Sequence, residues 1–76
     1  MADFFSTNLK FLREQKGLSQ SKLAEKIGVN QTTIARWEDD NRVPTIYNAV
    51  DIANALGVQL PQLLGEDLRI DNGQIV

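Results

Sequence analysis

The stretch from Gln20 to Trp37 constrains the fold more than any other part of this 76-residue chain. Its apolar or small positions are Leu23, Ala24, Ile27, Gly28, Val29, Ile34 and Trp37. Leu23, Ala24 and Ile27 share one side of a helix, and Ile34 and Trp37, at i and i+3, share one side of the next. Only Gly28, Val29 and Asn30 separate the two helices, so they have to cross steeply. Ala24 is small where the second helix crosses close above it, and Gly28 permits the positive φ of so tight a turn. Val29 plugs the elbow. Gln31, Thr32, Thr33 and Arg36 are left on the outward face of the second helix. The pattern predicts a helix-turn-helix over residues 20–37.

The flanking segments read as helices too. Phe5, Leu9 and Leu12 form a stripe with Phe11 beside it, with Asp3 or Ser6 as candidate cap and Gly17 placed to stop the helix. Ser19 begins the first helix of the motif, Gly28 ends it, and Asn30 caps the second, expected over 31–39. Pro44-Thr45 opens a further helix with Ile46, Ala49, Val50, Ala53 and Leu56 inward and Gly57 at its end. Leu60-Pro61-Gln62-Leu63-Leu64 allows one or two more turns. The expectation is an all-α, compact five-helix domain over residues 1–65. Residues 66–76 are expected to be a tail, a linker or a short hairpin, because Leu68, Ile70 and Ile75 flank Asp71-Asn72-Gly73 and Asn-Gly favours a two-residue turn. That hairpin would pair within the chain or with a second copy. An apolar chain end also suits a segment of a longer protein.

Composition narrows the function. No cysteine and no histidine are present, which excludes disulfides, thiolate or imidazole metal sites and imidazole general-base catalysis. No metal, cofactor or small-molecule substrate is expected, and the chain is not expected to be an enzyme. The N-terminus lacks a signal peptide's basic and apolar regions, and no apolar run is long enough to cross a membrane, so a cytoplasmic protein is expected. The net charge is −2, but it is unevenly divided. Residues 6–36 carry six basic and two acidic side chains, whereas residues 37–76 carry two basic and seven acidic ones. Because exposed charges are screened within about 10 Å, the nearby face decides attraction to phosphate, and the first half keeps nucleic acid open as a partner.

The run Gly17-Leu18-Ser19-Gln20-Ser21-Lys22-Leu23-Ala24 resembles the signature of the Cro-like and lambda-repressor-like (XRE-type) helix-turn-helix family. So do Ile27-Gly28-Val29, Ile34-Ala35-Arg36-Trp37-Glu38, Pro44 and Ala55-Leu56-Gly57-Val58. The likeness covers about residues 4–65. It implies a lambda-repressor-like fold and a sequence-specific double-stranded DNA-binding transcription regulator, commonly a dimeric repressor of phage or bacterial type. An antitoxin-like protein-interaction module on the same fold is the alternative, which the acidic second half would suit. One departure stands out. The family commonly follows Trp-Glu with glycine and basic residues, whereas here Glu38 precedes Asp39-Asp40-Asn41-Arg42-Val43, and only Arg42 keeps the basic character.

The outward residues suit base reading. Glutamine pairs with adenine N6/N7, arginine with guanine O6/N7, and a threonine methyl touches thymine, so Gln31, Thr32, Thr33 and Arg36 are the candidate base contacts. Gln20, Asn30, Lys10, Lys22 and Arg42 are the candidate phosphate contacts, Asn30 with help from the positive end of its helix. The resemblance further implies that Gln20 braces Gln31, and that Arg13 and Glu38 form a partly buried structural ion pair. Trp37 is expected in the core rather than as a stacking platform. Family dimers meet past the fourth helix, where Val58 and Leu64 are expected to be core and Leu60 and Pro61 the dimer contact. So small a patch implies a weak homodimer assembling on a near-palindromic operator.

Overall fold

A computed structural model of the protein describes residues 5–39 and 44–65. Five helices follow one another: α1 (Phe5–Gln15), α2 (Gln20–Ile27), α3 (Gln31–Glu38), α4 (Ile46–Leu56) and α5 (Leu60–Leu64). α3 ends one residue earlier than the expected 31–39, with Asp39 as its C-cap. No helix among the described residues is long and apolar enough to cross a membrane. Asp3, Asp40, Arg42 and the expected 66–76 tail or hairpin lie outside the described residues.

Local chemistry sets the ends. Ser19 Oγ accepts from the Lys22 N–H at 3.0 Å and starts α2, while Thr45 Oγ1 accepts from the Asn48 N–H at 3.2 Å and starts α4. Gly28 sits at φ +79°, and its N–H and that of Val29 both donate to the Ala24 carbonyl, which closes α2 inside the tight turn. Ser6 does not cap the first helix. It lies within α1, and its Oγ donates to the Trp37 carbonyl at 2.5 Å. Asn30 occupies the N-cap position of α3, but its side chain makes no capping bond.

The core joins all five elements. Phe5, Leu9 and Leu12 from α1 meet Leu23 and Ala24 from α2, Ile34 and Trp37 from α3, Ile52, Ala53 and Leu56 from α4, and Leu63 from α5. Ile27, Val29, Val58, Leu60 and Leu64 pack partly against this cluster. α2 and α3 pack most extensively on each other, and α1 also packs against α3. Asn8 is fully buried and donates through Nδ2 to the carbonyls of Leu63 at 3.1 Å and Gln62 at 3.3 Å, which ties α1 to the last turn of α5.

α4 differs from expectation. Its buried residues are Ala49, Ile52, Ala53 and Leu56, whereas Ile46 and Val50 are 56% and 41% exposed and Tyr47 is 80% exposed. At about 100° per residue, Val50 and Ile52 fall on opposite flanks of the line Ala49–Ala53–Leu56, so a core facing one flank releases the other. The core takes Ile52, and Ile46 and Val50 turn outward.

Candidate nucleic-acid interface

α3 presents its N-terminal end and one side to solvent because Ile34 and Trp37 anchor the opposite side. Gln31, Thr32 and Arg36 are exposed, and Thr33 is half-buried. Ala35, one turn from Gln31 and Thr32, lies half-buried on the same side. Sequence reasoning passed over it, although its i+4 spacing from Gln31 marks it. A methyl group there lets a partner approach the helix closely, whereas a long side chain would hold it off.

Two polar links fix this helix. Arg13 donates from Nε to Glu38 Oε2 at 2.5 Å and from Nη2 to Glu38 Oε1 at 3.0 Å, so α1 grips the end of α3 with both prongs of a planar fork. Both side chains are nearly buried, Arg13 at 10% and Glu38 at 4% exposure. Arg13 Nη1 also donates to the Leu18 carbonyl at 2.7 Å, which ties the turn before α2 into the same junction. The hydrogen bond to Glu38 holds the Arg13 guanidinium above its ordinary pKa, against burial, which lowers it, and attraction to Glu38 and Glu14 adds to the rise.

The second link runs between the motif's helices. Gln20 Nε2 donates to Glu38 Oε1 at 3.0 Å, and Gln31 Nε2 donates to Gln20 Oε1 at 2.6 Å. The Gln20–Glu38 bond has no local signature in the sequence, since eighteen residues separate the partners. It joins the ion pair and the two glutamines into one chain of contacts.

The expected phosphate-contact residues are spread around α3. Asn30 is exposed at the helix N-terminus. Lys22 is exposed and lies 3.6 Å from Glu25 across one turn of α2, a surface pair worth little by itself. Lys10 lines a shallow open groove with Ser6, Thr7, Phe11, Glu14 and Glu38, beside the C-terminal end of α3. Two carboxylates therefore share the Lys10 neighbourhood. Of the expected dimer contacts, Pro61 is exposed and Leu60 is half-buried against the core.

Two short helices crossed through a left-handed glycine turn, the second with a polar outward face, define a helix-turn-helix domain. The chain belongs to the helix-turn-helix family, whose model it matches over residues 9–63. It is similar to an HTH-type transcriptional regulator of Bacillus subtilis, YqaE, which is itself uncharacterised, with 38% identity over 79% of this chain and 52% of the relative. The chain spans about half of that relative's length. Among solved structures it is similar to the restriction-modification controller protein C.AhdI from Aeromonas hydrophila (TM-score 0.74, 32% identity, 78% of this chain and 86% of that one). It is equally similar to SinR, the master regulator for biofilm formation, in complex with DNA (TM-score 0.74, 30% identity, 78% of this chain and 95% of that one).

Proposed function

We propose that this protein is a sequence-specific double-stranded DNA-binding transcription regulator, of the phage or bacterial repressor type, that lays α3 in the major groove. One observation carries the reading: the Gln31–Gln20 bond at the exposed N-terminal end of α3, on a helix whose other end is locked by Arg13 and Glu38. A held amide at the leading end of a helix is what base reading needs, because a freely rotating side chain loses entropy on binding and discriminates less.

In this reading Gln31, Thr32 and Arg36 meet base edges, with Thr33 at the margin and Ala35 allowing close approach. Gln20, Asn30, Lys22 and Lys10 face phosphates, the last two less directly because Glu25 and Glu14 compete for them. Arg42 is the remaining phosphate contact. Residues 1–65 form the DNA-binding unit and 66–76 a tail or linker. The protein acts in the cytoplasm, carries out no reaction and takes no small-molecule substrate. Two copies meet through the α5 region, with Pro61 the more exposed contact and Leu60 beside it, on a near-palindromic operator. A gel shift against random-sequence duplexes at low and moderate salt tests this. Binding that falls steeply with salt and enriches a sequence is expected, since neutralising phosphates releases counterions. Absence of duplex binding at low salt would favour the protein-interaction module, which the acidic second half of the chain suits.

A further inference from the structure

Asn8 is a polar residue on an apolar arc. At about 100° per residue it falls on the same side of α1 as Phe5, Leu9 and Leu12, and like them it is buried. A leucine would fill that place without giving up water, whereas a buried amide is costly unless its hydrogen bonds are made. Asn8 makes them at the end of α5, through Nδ2 to the carbonyls of Leu63 at 3.1 Å and Gln62 at 3.3 Å. The last carbonyls of a helix have no partner within it, so a side chain of α1 completes the end of this five-residue helix. Apolar packing alone tolerates sliding. An amide shared between two successive carbonyls admits one position of α5 along α1.

Another residue of the same turn does this for α3. Ser6 Oγ donates to the Trp37 carbonyl at the end of α3, beside Glu38, which Arg13 holds. α3 packs on α2 and α1, and α5 packs on α1 and α4, so α1 is the helix that both share. The far ends of α3 and α5 thus hang on one turn of one element. In a pair of copies that meets through α5, this path sets how far apart the two α3 helices stand. One extra base pair between half-sites moves them about 3.4 Å and turns them by about 35°. Two-fold symmetry leaves each copy half of that, about 1.7 Å and 17°. A hydrogen bond lengthened by 1.7 Å is broken, so a copy with its ties intact cannot follow. We infer that Asn8 is a positioning residue for operator spacing: it fixes α5 relative to α3 through α1, and so sets the half-site separation that the paired protein accepts. This rests on the reading of α3 as the DNA-facing helix and of the α5 region as the pairing surface. Asn8 is fully buried, so it acts through α5 rather than by meeting DNA.

The test uses the full chain and its variants Asn8→Ala, Asn8→Ser, Ile52→Val and Pro61→Glu, each well below its melting temperature. Affinities are measured by gel shift on a palindromic duplex selected by the wild-type protein. They are measured again with one base pair added to or removed from its centre, and on a single half-site. The wild-type protein is expected to lose about a hundredfold with either change of spacing, as contacts in one half-site are given up. Asn8→Ala is expected to lose less than about tenfold, with its single-half-site affinity within about twofold of wild type. Asn8→Ser keeps a donor on a shorter side chain and is expected to fall between them, and it carries the test if Asn8→Ala does not fold. Ile52→Val thins the core at α4 but keeps both polar ties, so the wild-type penalty is expected to remain. An undiminished penalty in the Asn8 variants, or one equally relaxed in Ile52→Val, would overturn the inference. A wild-type protein that binds no duplex would instead overturn the DNA reading beneath it. A spacing penalty that persists in Pro61→Glu would overturn pairing through α5.

Discussion

Arg13 holds Glu38 by two parallel hydrogen bonds, and through it α1 fixes the angle at which α3 leaves the domain. The pair is nearly out of water, so its two members depend on each other more than surface charges do. Removing the arginine strands a buried carboxylate, and Gln20 alone remains to satisfy it.

Arg13→Ala is therefore expected to cost about 3 kcal/mol of stability, the low end of the range for breaking a buried pair. In a domain this small that lowers the melting temperature on the order of 15 °C. DNA affinity should fall with it, because α3 loses its support. The arginine's contribution should not vary across neutral pH. Its pKa is raised by folding, so the contribution is complete below the ordinary arginine value and is lost only as pH climbs through the raised one. Thermal melts read this directly, and an unchanged melting temperature would show that the pair adds nothing.

The Asn8 side chain offers a second structural test. It is fully buried and donates to the carbonyls of Gln62 and Leu63, so Asn8→Ala leaves the buried Leu63 carbonyl short of a partner and breaks the half-buried link to Gln62. The expected loss is about 2 kcal/mol. Hydrogen exchange should show α5 losing protection before the α2–α3 pair does, since the Asn8 amide bonds the last turn of α5. Uniform loss of protection along the chain would mean that α5 and the core open together.

Much of this was legible in the sequence, and the parts that were not share a physical cause. The crossing of α2 and α3 could be read because Ala24, Gly28, Val29, Ile34 and Trp37 satisfy local geometry that few other arrangements require. The buried side of α4 was misread because Ile46, Val50 and Ile52 all extend the line Ala49–Ala53–Leu56, and only the position of the core chooses between flanks. The buried bonds of Asn8 and Ser6 gave no signal, and Ser6 read as a candidate cap instead, since their partners lie 31 to 55 residues away and a polar residue in an amphipathic helix usually faces water. The contacts of Gln20 divide the same way. Its place at the start of α2 is local, but its bond to Glu38 exists only once α2 and the far end of α3 have met.

Arg36 should discriminate among bases. It is exposed one turn beyond Thr32 on the outward side of α3, with the reach to donate two hydrogen bonds to guanine. Arg36→Ala is expected to weaken specific binding by about 1–3 kcal/mol and to relax one base pair per half-site. A loss equal on all sequences would assign Arg36 to phosphate.

The acidic link after α3 should hold back affinity. Asp39 is exposed at the C-cap of α3, and Asp40 follows it in the position where the family commonly carries basic residues. Replacing the two by Gly and Lys removes two negative charges and adds one positive. Affinity is expected to rise on every sequence, with a steeper salt dependence of about 0.9 logarithmic units per additional phosphate neutralised. Lower affinity would show that this link meets a protein surface instead.

Assembly is the remaining expectation. One recognition helix reads too few base pairs to select a site in a genome, so two heads are needed, about 34 Å apart on one face of B-DNA. Leu60 is half-buried in the core, which leaves Pro61 as the exposed part of the expected α5 contact, while α4 exposes Ile46, Tyr47 and Val50 elsewhere. Either patch is small against the roughly 1,200 Å² that a stable interface buries, so the free protein is expected to be mostly monomeric and to pair on the operator. Pro61→Glu and Tyr47→Glu separate the two patches. Each adds one carboxylate, which matches their general repulsion from DNA, but only the one at the two-fold axis sets like charges against each other. Sedimentation across a wide concentration range, alone and with a palindromic duplex, should give a 2:1 complex for wild type and Tyr47→Glu, and stepwise, non-cooperative binding for Pro61→Glu. The reverse pattern would move the contact to the N-terminal turn of α4, and a 1:1 complex at saturation for the wild-type protein would remove the dimer altogether.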